Sequence, residues 1–163
     1  MQLSNRGVAL TEALVALLVL SAGMLGTLWL HQQALATQRQ LLLRQLAMGA
    51  AEDVAERMKL NAAQAPLYAK AWGAWPVAAT VDCAASPCSR TTLAVWDLQQ
   101  VKQHLSVDLP EGDMAIFAAP ANGWGVVVAW RDARETYRTD TTANTPPCPS
   151  GMSCWRLIFR PDA

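Results

Sequence analysis

From Ala13 to Leu30 every residue is apolar or small except Ser21 and Thr27, and no charge interrupts the run. As a helix rising ~1.5 Å per residue it would be about 27 Å long, enough to cross a hydrocarbon core of roughly 30 Å. Beyond it the helical pattern continues. Leu35, Leu42, Leu46, Ala50, Val54 and Met58 fall on or near one stripe, widened by Leu43 and Ala47. Arg39, Arg44, Glu52, Asp53, Glu56, Arg57 and Lys59 occupy the other faces, with Asp53 and Arg57 spaced for an i,i+4 pair. No proline occurs between Val8 and Ala65, so one helix is expected from about Ala9 to about Asn61, ending at Asn61-Ala62-Ala63-Gln64 and Pro66. Gly23, Gly26 and Gly49 are its soft points, each costing about 1 kcal/mol relative to alanine. Residues 8–30 form its membrane half. Residues 31–62 supply one wall of a globular core.

The remainder, residues 63–163, reads as that globular domain. Pro66 to Pro87 is an ordered connection rich in alanine and aromatic residues, with a short helical piece. Thr91 to Leu109 is a second amphipathic helix with Leu93, Trp96, Val101 and Leu105 inward, stopped by Pro110-Glu111-Gly112-Asp113. Strands are expected at Met114 to Ala118, Gly125 to Trp130 and Trp155 to Phe159, with a turn at Asn122-Gly123. Arg131 to Ser153, polar and rich in threonine and proline, reads as a long surface loop. The fold class is α+β: a long N-terminal helix against a small antiparallel sheet.

Glu12 stands at the head of the apolar run. An acidic side chain deep in a membrane helix costs roughly 2.5 to 3.5 kcal/mol, and less near the interface, so a partner is expected. Cleavage after Gly7 would create an α-amino group on Val8, four residues from Glu12 on the same helix face. At ~4 Å and an effective dielectric of ~20 such a pair gains about 4 kcal/mol before desolvation is subtracted. The same amine can come from a neighbouring copy. The plain alternative is an interfacial glutamate that reaches the headgroups of an ordinary single-span anchor.

Arg6-Gly7-Val8-Ala9-Leu10-Thr11-Glu12 and the apolar run after it resemble the class III signal of type IV prepilins. That resemblance implies a leader over residues 1–7, cleavage between Gly7 and Val8 by a prepilin peptidase, N-methylation of Val8, and a salt bridge made by Glu12 during assembly. Val8 departs from the phenylalanine usual there; other apolar residues are tolerated. A second resemblance covers Asp82 to Asp132. Cys83 and Cys88, Leu93-Ala94-Val95-Trp96-Asp97-Leu98, Val101-Lys102-Gln103-His104-Leu105, Leu109-Pro110-Glu111-Gly112 and Val126 to Asp132 look like the PilV-like minor pilins. It favours that branch over the pseudopilins of type II secretion, and implies a pilin-like fold. The implied partners are other minor and major pilins, the peptidase and N-methyltransferase, the bacterial inner membrane and the pilus assembly platform. Adhesion or twitching motility would be the process served.

A secretory signal is the alternative for the N-terminus, with Met1 to Arg6 as its basic region and Ala34-Leu35-Ala36 as its cleavage site. Three features oppose it: the length of the apolar run, Glu12 at its start, and the polar His31-Gln32-Gln33 before the cleavage site. Arg6 on one side of the span and Arg39 and Arg44 on the other leave the positive-inside rule nearly silent. Cysteines give the orientation. Cys83, Cys88, Cys148 and Cys154 all follow the span, and an even number fits two disulfides in an oxidising compartment, which puts the C-terminal part outside the cytoplasm; the prepilin resemblance implies the periplasm. Two local loops are the simplest of three connectivities, each contributing ~2 to 3 kcal/mol. A four-thiolate zinc site is the alternative, although the spacings are not the usual C-x2-C pairs.

Composition excludes some functions. Of the 163 residues, 13 are basic and 13 acidic, so no basic surface for nucleic acid is implied. His31 and His104 are isolated, and no nucleophile constellation or phosphate-cradling loop is present, so neither enzymatic activity nor a cofactor or metal is expected. His104 reads as a surface residue. Of seven tryptophans, Trp29 suits the membrane interface, Trp96, Trp130 and Trp155 suit the core, and Trp72, Trp75 and Trp124 suit either core or a partner surface. Three functions are consistent with this reading: a minor pilin, a pseudopilin of a secretion machine, and a periplasmic binding module or enzyme on an uncleaved anchor.

Overall fold

A computed structural model describes residues 6–77, 81–132 and 145–161, with side chains from Leu10 onward. Helix α1 (Arg6–Leu60) runs without a break through Gly23, Gly26 and Gly49. A 3-10 helix (Ala62–Tyr68), helix α2 (Arg90–Asp108) and strands β1 (Asp113–Ala119), β2 (Gly123–Trp130) and β3 (Ser153–Phe159) follow. The chain divides into two units, Met1–Leu41 and Leu42–Ala163. In the first, the helix exposes its apolar side chains on every side. The second is an α+β domain in which the end of α1 packs with α2 on a three-stranded antiparallel sheet of order β1-β2-β3.

Register explains why β2 reads as a continuous apolar run. Met114 and Ile116 pair with Val128 and Val126, which pair in turn with Trp155 and Leu157; this face meets the helices. Ala115, Phe117, Val127, Ala129 and Cys154 lie on the opposite face, and Val127, Ala129 and Cys154 are buried there too. A central strand covered on both sides has no polar face to show.

The core stripe of α1 differs from the expected one. Leu43, Ala47, Ala51, Val54 and Met58 are buried, Leu46 and Ala50 are partly covered, and Leu35 and Leu42 are exposed by 65 and 54 %. The stripe is therefore turned by about one position. Ala47, an expected stripe position, and Ala51, which is not one, are both fully buried, and their small side chains allow close packing there. On α2 the inward positions are Ala94, Leu98, Val101 and Leu105, while Leu93 and Trp96 are half-buried. Ser89 caps this helix, its Oγ accepting from Thr92 N–H at 3.1 Å. Pro66 does not end helical structure: α1 stops at Leu60, as expected, but the 3-10 helix carries Pro66 inside it.

Each expected strand is found; β1 is longer by one residue at each end, and β2 and β3 by two residues at their starts. The β1–β2 turn is closed by Gly123 N–H donating to the Pro120 carbonyl at 3.2 Å, with Ala121 (φ 59) and Asn122 (φ 57) both in the left-handed region. Such primed geometry matches the twist of the flanking strands. The segment before α2 also joins the sheet, because Lys70 and Ile116 exchange backbone hydrogen bonds of 3.0 and 2.9 Å. Of the expected loop from Arg131 to Ser153, residues 133–144 lie outside the described residues, and Ser153 opens β3.

One close approach yields a prediction. Gly125 faces Phe117 across the ladder, and a Cβ there would sit 2.2 Å from the ring. Gly125→Ala is expected to destabilise the domain by about 1 to 2 kcal/mol through overpacking. Chemical denaturation of Gly125→Ala, Phe117→Ala and the double variant tests it. Strictly additive effects would show that the ring is not the obstacle.

Candidate functional site

Gly7, Val8 and Glu12 all lie on α1, with Val8 and Glu12 one helical turn apart. Residues 1–5, the start of the expected leader, lie outside the described residues, as does the side chain of Val8. Within Leu10–Leu60 the helix contains a window of mean hydropathy 2.2, none of it buried, and is long and apolar enough to cross a membrane. Leu14, Leu18, Leu25 and Trp29 are 59 to 69 % exposed. The hydroxyls in the run are satisfied by the helix itself: Ser21 donates to the Leu18 carbonyl at 2.9 Å and Thr27 to that of Met24 at 2.8 Å. Glu12 is the one charged residue between Leu10 and Leu30, and it is exposed. Among the described residues from Leu10 to Leu30, Glu12 is thus a carboxylate on an apolar helix whose hydroxyls within the run are satisfied by the backbone.

A second polar constellation lies in the globular unit. Arg57 donates to Asp53 from Nε at 2.9 Å, the i,i+4 pair expected from spacing, and from Nη1 to Asp97 Oδ1 at 2.8 Å. Tyr68 Oη donates to the other Asp97 oxygen at 2.6 Å and accepts from Asn61 Nδ2 at 3.4 Å. Asn61 Nδ2 also donates to the Arg90 carbonyl at 2.8 Å. Asp97 is 5 % exposed and Tyr68 1 %. Burial, and then the bond to Asp97, raises the Tyr68 phenol well above its ordinary value. The Arg57 guanidinium is held above its ordinary value too; burial opposes this, but the two carboxylates outweigh it.

Lys70 is similarly enclosed. Its ammonium lies 3.8 Å from the centroid of the Trp75 ring, 3.4 Å from Asp113 Oδ1 and in contact with the Met114 carbonyl. Burial pushes this amine below its ordinary value, and Asp113 partly opposes the shift. Asp113 also accepts from Gly73 N–H at 2.7 Å, so the pair fastens the connection to β1. Sequence reading missed both constellations as units. A signal was there: Asp97 interrupts the inward face of α2 beside Leu98, and Lys70 sits among Tyr68, Trp72 and Trp75.

The cysteines form two local bridges, Cys83–Cys88 and Cys148–Cys154, with Cα atoms 5.4 and 6.0 Å apart. All four sulfurs are used, which removes the four-thiolate zinc alternative. Among the described residues no group of three histidine, cysteine or acidic side chains is placed to hold a metal ion. His104 is exposed beside an open groove between α1 and α2, whose lining includes Leu46, Gly49, Asp53, Arg57 and Asp108. Of the tryptophans, Trp130 is buried, Trp75, Trp124 and Trp155 pack partly against the main core, and Trp72 covers the outer face of the sheet. Trp96 is half-buried. Compared with known proteins, the chain matches no family model, no curated protein and no solved structure.

Proposed function

We propose that this chain is a minor pilin of the PilV-like branch. It enters the inner membrane through α1, is cleaved between Gly7 and Val8, is N-methylated on Val8, and joins a type IV pilus by packing its apolar helix among those of other subunits. The observation that carries this reading is Glu12: one carboxylate, four residues after Val8, the first residue that cleavage would expose, on a helix whose other side chains in the run need nothing from outside. The new terminus of one subunit and Glu12 of its neighbour neutralise each other within the helical bundle. In this account the pair also sets the axial register of incoming subunits, since a slip of one residue separates the charges. The joining of the apolar helix to a disulfide-bonded α+β domain supports the same reading, with that domain facing the periplasm.

N-terminal sequencing and mass spectrometry of the protein isolated from cells test the proposal. Mature chains are expected to begin at Val8 and to carry one methyl group on its nitrogen. A start at Thr37 would identify a secretory signal instead. An intact Met1 would identify a plain membrane anchor.

A further inference from the structure

Among the described residues, the outer face of the sheet is covered by two separately attached pieces. Trp72 is the first, and its position is fixed from β1. The backbone bridge of Lys70 to Ile116 lies two residues before it, and the bond of Gly73 N–H to Asp113, 2.7 Å long, lies immediately after it. The second piece is the end of the loop before β3, from Pro147 to Met152, turned back by Met152 N–H donating to the Pro149 carbonyl at 3.2 Å. Trp72, Cys148 and Met152, with Phe117, pack against Val127, Ala129 and Cys154. The pieces meet through Trp72 Nε1, which donates to the Pro147 carbonyl at 3.0 Å.

From this arrangement we infer that the Cys148–Cys154 disulfide is a redox latch that closes the segment Pro147 to Met152 and Trp72 over the outer sheet face, and that reduction opens this face while leaving the rest of the domain folded. Cys154 is 3 % exposed within β3, whereas Cys148 is only partly buried in the loop. The bridge therefore ties a peripheral segment to a fixed strand. Cys83–Cys88 differs. It closes an exposed turn already organised by Asp82, which accepts from Ala84 N–H at 2.9 Å and Ser86 N–H at 3.1 Å, and it covers no core surface. The opposite face of the sheet is packed by α1 and α2, and Trp72, Cys148 and Met152 are not among the residues packed there.

The opening reaction is dithiol exchange. A thiolate of a small dithiol attacks Cys148 Sγ, the more accessible sulfur, and Cys154 leaves as its thiolate. The reagent's second thiol then closes on the mixed disulfide and releases Cys148. Two electrons pass from the dithiol, which ends as its own disulfide. Closing reverses these steps with a small oxidised disulfide. In a reducing compartment the latch would stay open, and the outer face would become covered only after the domain reaches an oxidising one.

The test uses the full chain in detergent with Cys83→Ser and Cys88→Ser, so that one bridge remains. Dithiothreitol is added, complete reduction is verified by thiol counting, and the Trp72 emission is obtained by difference from the matching Trp72→Phe protein. The expected result is a shift of that emission to longer wavelength with increased acrylamide quenching, an unchanged far-ultraviolet circular dichroism spectrum, and recovery on adding oxidised glutathione. Full reduction without a Trp72 shift would overturn the latch, as would loss of secondary structure throughout. A Cys148→Ser, Cys154→Ser protein provides the converse. Its Trp72 should emit at the long wavelength without reductant, and a short-wavelength emission there would also refute the inference.

Discussion

Asp97→Ala is expected to destabilise the globular unit by about 3 kcal/mol, because it strips partners from groups that cannot regain water. Tyr68 Oη would lose the acceptor at 2.6 Å while remaining 1 % exposed. Arg57 would lose one of its two carboxylates, but it is partly exposed and keeps Asp53, so its share of the cost is the smaller. Asp97→Asn keeps the shape and one acceptor oxygen, and should cost less than half as much. Urea unfolding of the three proteins checks this, and a change below 1 kcal/mol for Asp97→Ala would show that the network contributes little. The same phenol makes stability depend on pH. Its folded value lies above the ordinary 10.0, so its contribution is complete below about pH 10 and is lost as pH rises from there toward the folded value. Tyr68→Phe should flatten that alkaline decline.

Features set by local pattern were legible in the sequence. An apolar run without charge, followed by heptad-like spacing without proline, determined the extent of α1 to within a few residues. Alternating and continuous apolar stretches bounded by Asn122-Gly123 and Pro110-Glu111-Gly112 gave three strands in nearly their correct places. Pairing of cysteines five and six residues apart followed from proximity. What was missed depends on contacts distant in the chain. Ala47 belongs to the expected stripe, but the burial of Ala51 while Leu42 stays exposed is decided by how closely α1 packs in the domain, and leucine exceeds alanine on any hydrophobic pattern. Asp53 and Arg57 were visible as an i,i+4 pair, but the bond from Arg57 to Asp97 spans 40 residues and requires α2 to lie alongside α1. Lys70 could be read as a solvated charge in a loop. Only the bridge to Ile116 brings it under Trp75 and against Asp113.

On the proposed pilin reading, Glu12→Ala is expected to leave insertion and cleavage largely intact while reducing incorporation into the assembled fibre tenfold or more. The two halves of that expectation have one cause. An isolated subunit carrying alanine no longer holds a carboxylate in or near hydrocarbon, so its helix is relieved of a cost that reaches roughly 3 kcal/mol at the bilayer centre. The proposed assembled state would meanwhile lose the attraction between Glu12 and a neighbour's Val8 amine. That amine then becomes an unpaired charge in a low-dielectric bundle. The substitution thus stabilises the free subunit and destabilises the packed one, and a net change of about 1.4 kcal/mol already shifts the balance tenfold. Glu12→Gln sharpens the test, since it keeps size and hydrogen-bonding capacity but removes the charge; it should fail in assembly nearly as badly. Immunoblots of sheared pili against membrane fractions, with the N-terminus of the membrane-bound chain sequenced in parallel, read both quantities. Normal incorporation of either variant would dismiss the charge pair, and accumulation of uncleaved chains would move the role of Glu12 from assembly to processing.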